Sequence, residues 1–234
     1  MSRIIAGAGK GRRLKTAAGD ATRPTGARVR QSLFDILAPL IPGCRFLDAF
    51  AGSGGVGLEA LSRGASKVVL VDKAASAVEA AKENARVLAS AGGEVQVFRQ
   101  DARTAIGAFG DQGMRFDVVY LDPPYASDLY EPLLTLLGEG PILAEGGVVV
   151  AEHFHKRALP ETIGALTRTR EKRVGDHVLS FYRRASGADR TVGADERARG
   201  ADGRDGTSGG RAHDGAKGRA GGESEGGQSE EDAS

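Results

Sequence analysis

Apolar positions fall into two alternating patterns over most of this chain. Short, nearly continuous apolar runs occupy residues 44–49, 67–71, 95–99, 116–121 and 147–152. Runs of that length, rich in Val, Leu and Phe, are expected of strands buried on both faces. Between them, apolar positions recur every three or four residues. That spacing predicts helices from the glycine turn at 52–55 to about residue 63, over 74–90, briefly after Asp101, and over 129–137. Gly92-Gly93 stops the second of these. An earlier helix over 27–37 carries the stripe Val29, Leu33, Phe34 and Leu37, with Thr25 as its expected N-cap and Pro39, Pro42 and Gly43 ending it. Residues 167–174 and 177–183 form a closing hairpin around Gly175-Asp176. The alternation predicts an α/β fold: a mostly parallel sheet, covered on both faces, with an antiparallel C-terminal strand. No internal repeat interrupts it.

Charge changes the picture at both ends of the 234-residue chain. From Ala185 onward the sequence has 13 glycines, no aromatic residue, and 7 basic against 11 acidic side chains. Such a segment buries too little apolar surface to offset its ordering entropy and is expected to be disordered. Without it, residues 1–184 carry 25 basic and 20 acidic side chains, so the overall +1 hides a basic folded part. Much of that charge lies in the first 34 residues, where Arg3, Lys10, Arg12, Arg13, Lys15, Arg23, Arg28 and Arg30 face a single acid, Asp20. Glycines at 7, 9 and 11 predict loops or a short hairpin there, and the charge predicts a phosphate-contacting surface. No aromatic side chain interleaves with it, which argues against a base-stacking platform. The expected organisation is a basic N-terminal arm and helix over 1–38, a main domain over 39–184, and a glycine-rich tail over 185–234. Cys44 is the single cysteine and excludes an internal disulfide. With no signal peptide or membrane-spanning apolar stretch visible, the expectation is a soluble, cytoplasmic monomer.

The candidate chemistry lies where apolar runs end. Val118 to Leu121 leads into Asp122-Pro123-Pro124-Tyr125. Two prolines bar the strand from continuing and stiffen a backbone that holds an acceptor beside a flat ring. A planar amine, such as the amino edge of a nucleobase, suits that pair. After the first run, Asp48-Ala49-Phe50-Ala51-Gly52-Ser53-Gly54-Gly55-Val56-Gly57 makes a tight glycine turn that also satisfies GxGxxG. Asp72, followed by Lys73, ends the second run and is placed for a ribose diol. Asp101 and Ala102 follow the third, placed for an adenine amino group. Helix capping is the competing duty for Asp72 and Asp101. Asp48, Asp101 and the Asp-Pro-Pro-Tyr favour S-adenosylmethionine over a dinucleotide, because a carboxylate suits a cationic amino-acid end and repels a pyrophosphate. His153 and His155 have a spacing seen in metal sites, but without a nearby Cys or third His, and with the strand expected to enter solvent there, no metal is expected.

These motifs resemble the RsmD family of bacterial methyltransferases. The likeness runs over about residues 3–184. It includes Arg3-Ile4-Ile5-Ala6-Gly7, Arg23-Pro24-Thr25 with Arg28, Arg30 and Leu33-Phe34, Asp48 to Gly54, Leu58 to Gly64, and Asp122 to Tyr125. The resemblance implies a Rossmann-like class I methyltransferase that transfers methyl from S-adenosylmethionine to the exocyclic N2 of one guanine in small-subunit ribosomal RNA, within a ribosomal particle. It implies that Asp48, Ala49 and Gly52 to Gly54 hold methionine, that Asp72 holds ribose, and that Asp101 with Ala102 flanks adenine. The basic arm would grip RNA, Arg23 and Thr25 would close over the site, and Glu152-His153 would lie near the target base. The tail has no counterpart in the family pattern.

On that reading Asp122 and the Pro123 carbonyl accept from the amine, Asp122 or an adjacent water takes its proton, and Tyr125 stacks on the base. Alternatives are an adenine-N6 DNA methyltransferase, a Rossmann oxidoreductase, and a non-catalytic RNA-binding assembly protein. The motif specifies a planar amine; the choice of guanine comes from the resemblance.

Overall fold

The apolar runs become strands because every second residue has its own hydrophobic layer to enter. In β6 (Phe116–Leu121), Val118 and Tyr120 join one core, and Val119 and Leu121 join the other. The computed structural model describes residues 2–16, 24–124 and 127–185, excluding the side chains of Pro24 and Thr25. Arg23, Tyr125 and the glycine-rich tail lie outside the described residues, and so does any expectation placed on them.

The chain opens with two short paired strands, β1 (Ser2–Arg3) and β2 (Arg13–Leu14), followed by α1 (Pro24–Leu37). The main sheet then alternates strand and helix: β3 (Arg45–Asp48), α2 (Gly55–Ser62), β4 (Lys67–Asp72), α3 (Ala75–Val87), β5 (Glu94–Arg99), α4 (Ala102–Asp111), β6 and α5 (Tyr130–Glu139). It ends with β7 (Leu143–Phe154), β8 (Thr162–Ile163), β9 (Leu166–Val174) and β10 (His177–Arg184). The order across the sheet is β5-β4-β3-β6-β7-β10-β9-β8. The strands from β5 to β7 are parallel, and β10, β9 and β8 run antiparallel to their neighbours. This is the Rossmann-like arrangement of class I methyltransferases. Its antiparallel end comprises three strands, one more pairing than the expected hairpin, because Thr162–Ile163 adds a short rim.

Two local expectations need correction. Thr25 was expected to cap the first helix, but the helix begins at Pro24 and Thr25 lies inside its first turn. Proline fits there because the first helical N–H groups have no intrahelical acceptor. The strand expected over 147–152 runs from Leu143 to Phe154, with an irregularity against β6. His153 is consequently buried, with Nε2 2.9 Å from Ser180 Oγ, and does not enter solvent.

The basic arm is built into the main core. Ile4 and Leu14 are buried with Val29, Leu33 and Phe34 of α1 and with Leu58 and Leu61 of α2. Polar side chains that a helix pattern gives no reason to bury complete the attachment. Glu59, fully buried, accepts from the N–H groups of Ile5 at 2.7 Å and Ala6 at 2.9 Å and from Arg63 Nε at 2.8 Å. Asn84 accepts from Lys15 N–H at 2.8 Å and donates to the carbonyls of Lys15 at 2.9 Å and Ser53 at 2.8 Å. The buried Glu59 and Asn84 side chains thus both find partners, as burial requires.

Candidate functional site

Adjacent parallel strands end together, so the residues that follow them meet at one edge of the sheet. In the order β5, β4, β3, β6 these are Asp101, Asp72, Asp48 and Asp122. All four line a single cleft of about 410 Å³. Ala49, Gly52, Ser53, Lys73, Ala102 and Pro123 line it as well. Gly54 stands behind the turn. Its φ of 85° favours glycine, and an added Cβ would lie 3.1 Å from Leu58 and Leu70 side chains in the core. Gly57 serves close packing of α2 on β4, since a Cβ there would meet Leu70 at 2.3 Å.

The turn and the carboxylates hold one another. Asp72 Oδ2 accepts from Gly52 N–H at 2.9 Å, and Oδ1 accepts from Ala74 N–H at 2.8 Å. Asp101 Oδ1 caps α4 by accepting from Arg103 N–H at 2.9 Å and Thr104 N–H at 3.3 Å. The capping duty and the cleft position therefore coexist in Asp101. Asp48 is buried; its Oδ2 accepts from Gly57 N–H at 3.0 Å, while Oδ1 has no hydrogen-bond partner among the described residues. Burial pushes the Asp48 carboxyl up to about 7, against the opposing pull of the Gly57 and Phe50 N–H groups and with added repulsion from Asp72 and Glu152.

Across the cleft, Asp122 follows the end of β6, and Pro123 is buried behind it. Burial raises the Asp122 carboxyl well above the usual range, and the carboxylates of Glu152 and Asp48 add to the rise. Beneath it lies a buried polar chain. Tyr120 donates its hydroxyl to Glu152 Oε2, and His177 Nδ1 lies 2.6 Å from Glu152 Oε1. Tyr130 donates to the Glu152 carbonyl at 2.8 Å.

Tyr120 and His177 escaped the sequence reading as site residues, as did the cleft-lining Phe50, Gln100 and Leu129. Alternation along β6 puts Tyr120 on the side of Asp122, but its partners appear only once β7 and β10 are in register. His177, expected as a hairpin residue, does begin β10, yet its ring turns into the sheet's polar end. No group of His, Cys, Asp and Glu suited to a metal occurs among the described residues.

The arm residues divide into two groups. Arg3, Lys10, Arg12, Arg13 and Arg28 are exposed. Arg12 donates to the Val87 carbonyl at 3.0 Å, near α3. Arg30 turns inward, donating to Ser2 Oγ at 3.2 Å and the Arg3 carbonyl at 2.7 Å, with Nε 3.9 Å from Glu59. Its burial lowers the guanidinium's pKa from the ordinary value, and Glu59 opposes that shift. Arg30 thus ties the arm to the helix, with its guanidinium beside Gly55 on the cleft wall.

Comparison with known proteins places the chain among methyltransferases. Residues 2–183 match the family described as conserved hypothetical protein 95. YlbH of Bacillus subtilis strain 168, described as a candidate rRNA methyltransferase, is 42% identical over 182 residues, covering 78% of this chain and 98% of that protein. Ribosomal RNA small subunit methyltransferase D of Escherichia coli K12 is 33% identical over 182 residues, covering 78% of this chain and 89% of that one. Among solved structures, an E. coli protein described as a candidate methyltransferase, yhhF, superposes with a TM-score of 0.68 at 32% identity, covering 79% of this chain and 98% of its own.

Proposed function

The chain belongs to the conserved hypothetical protein 95 family, together with the RsmD methyltransferases, and from that premise we propose that it methylates the exocyclic N2 of a guanine in small-subunit ribosomal RNA, using S-adenosylmethionine. The observation that carries the cofactor reading is Asp48. A carboxyl oxygen buried without a partner beside a glycine turn leaves a strong acceptor waiting for a cation. The ammonium of a methionine moiety supplies that cation; a pyrophosphate would add repulsion. Asp48, Ala49, Gly52 and Ser53 would then hold the amino-acid end. Asp72 would accept from ribose, and Asp101 with the Ala102 N–H would flank adenine.

When bound, S-adenosylmethionine supplies an electrophilic methyl on a sulfonium, so the protein's task is orientation and proton transfer. A guanine amino nitrogen is a weak nucleophile because its lone pair is delocalised into the ring. Asp122 and the Pro123 carbonyl accept its N–H bonds and favour the pyramidal nitrogen from which attack proceeds. Methyl transfer would exchange the S–C bond for a new N–C bond and leave positive charge on nitrogen, whose proton would pass to Asp122 or an adjacent water. Burial and the neighbouring carboxylates suit Asp122 to receive that proton by raising its basicity. Tyr125 stacks on the base in this reading, and the exposed arm cations contact RNA phosphates. Residues 1–38 act as the RNA-contacting part, 39–184 as the catalytic domain, and 185–234 as a tail outside the chemistry.

Labelled methyl transfer to small-subunit RNA, free and in particles, tests the proposal. The expected product is N2-methylguanine at one position. Label at adenine, or in duplex DNA without RNA labelling, would replace the substrate assignment.

A further inference from the structure

Basic charge also gathers outside the first 38 residues, on β9. Arg168, Arg170, Lys172 and Arg173 share this strand with one acid, Glu171. Strand β8 pairs only with Leu166 and Thr167, so residues 168–174 form the sheet's outer edge among the described residues. The pairing with β10 sorts the cations by face. Lys172 stands opposite Leu179, and Arg170 opposite Phe181. Directly paired residues share a face, and Leu179 and Phe181 belong to the core under α1.

Arg168 and Arg173 lie on the other face and are engaged. Arg168 donates to the Leu159 carbonyl at 3.0 Å and pairs with Glu171 at 3.1 Å, while Arg173 donates to the Gly175 carbonyl at 2.9 Å. Arg170 and Lys172 are exposed, and neither makes a hydrogen bond or ion pair with any described residue. No acidic side chain of β9 shares their face.

The same register relates this pair to the cleft. Leu121 pairs with Ala151, which brings Asp122 abreast of Glu152; Glu152 pairs with Leu179, and Leu179 with Lys172. At about 4.8 Å per strand, three steps put Lys172 roughly 14 Å from the Asp-Pro-Pro turn, on the face covered by α1. Arg28 is exposed on that covering helix. We propose that Arg170 and Lys172 form a second phosphate track, which holds RNA backbone flanking the target nucleotide on the side of the cleft away from the β1–β2 hairpin. An RNA strand entering the cleft would then be gripped on both flanks.

This inference rests on the RNA reading of the active site and deepens it. The competing explanation is edge protection, in which lysine and arginine keep an outer strand from pairing with another sheet. Protection accounts for charge along the edge on both faces, which β9 has. It gives no reason for the free cations to gather on one face while those on the other are tied down.

The test is the double variant Arg170→Gln/Lys172→Gln in the full chain, assayed by methyl transfer and by RNA binding across a salt series. Two lost phosphate contacts should raise KM for small-subunit RNA about tenfold near 0.15 M salt and reduce the log–log salt slope by about 1.5. Turnover at saturating RNA and S-adenosylmethionine affinity should stay at wild-type values. Wild-type KM and salt slope, with or without increased self-association, would overturn the track and leave edge protection. Lower turnover at saturating RNA would also overturn it, by making the pair part of the catalytic support. A wild-type protein that neither binds nor methylates this RNA would refute the functional reading, and the track with it; an active wild type with an unaffected variant refutes the track alone.

Discussion

At the scale of single residues, Asp48 and Asp122 are carboxyls held in surroundings that disfavour their charge, and each has a testable consequence. The folded-state value of Asp48, about 7, lies above that of an exposed aspartate. As pH rises the unfolded chain therefore loses this proton first, and the group's contribution to stability falls between about pH 4 and pH 7. Asp48→Asn should consequently raise the ligand-free protein's stability at pH 8, by a few kcal/mol at most (one pKa unit being about 1.4 kcal/mol), while weakening S-adenosylmethionine binding. Urea unfolding and calorimetric titration would read the two effects, and a variant both less stable and fully binding would contradict the assignment. For Asp122, the basic form is required, so turnover should climb with pH through a limb above the usual carboxylate range. Asp122→Ala should reduce turnover at least a hundredfold, with cofactor affinity near wild type. Glu152→Gln removes a negative neighbour, lowers the Asp122 pKa and moves the limb to lower pH. A limb that stays in place, measured at saturating RNA, would separate Glu152 from the proton chemistry. The four aspartates were legible in the sequence because each stands at or just beyond the end of an apolar run. The Tyr120–Glu152–His177 chain was not, since it joins β6, β7 and β10 through pairings that no local pattern encodes.

At the scale of elements, the arm was the least legible part. Charge and glycines predicted loops or a short hairpin, and β1 pairs with β2 accordingly. Its docking depends on Glu59, Ser62 and Asn84, polar side chains buried in helices where apolar spacing alone would call for hydrophobic contacts. Ser62 Oγ accepts from Gly9 N–H at 2.8 Å, and Asn84 joins Lys15 to the glycine turn through Ser53. RNA held at the arm, as proposed, would therefore be mechanically connected to the cleft wall. Asn84→Ala would leave the Lys15 N–H and two carbonyls without their partner, and should destabilise the fold by about 1–3 kcal/mol. Because one of those carbonyls belongs to the turn, KM should rise for both RNA and S-adenosylmethionine. Stability lost with both KM values unchanged would mean that the arm and the turn are only neighbours. Helices and parallel strands, in contrast, were predicted to within a few residues. Their cause is local: two apolar layers for each strand and one for each helix.

At the scale of the whole molecule, opposite charges are segregated along the chain. Residues 1–184 have a net charge of +5, and residues 185–234 have a net charge of −4. The described elements complete both cores and the cleft before Ala185, so nothing in the proposed chemistry draws on the tail. If that net negative charge competes with RNA for basic surface, the competition should weaken as salt screens it. A chain ending at Ala185 should keep wild-type turnover at saturating RNA. It should bind RNA more tightly at low salt, where the screening length is about 20–30 Å, and converge with the full chain as that length falls to about 5 Å. Arg12→Gln/Arg13→Gln within the shortened chain should reverse the gain and flatten the salt dependence by about 1.5 in log–log slope. Equal affinities at every salt concentration would show that the tail does not reach the basic surface. Weaker binding by the shortened chain would show that the tail itself contacts RNA through its arginines, despite its net charge.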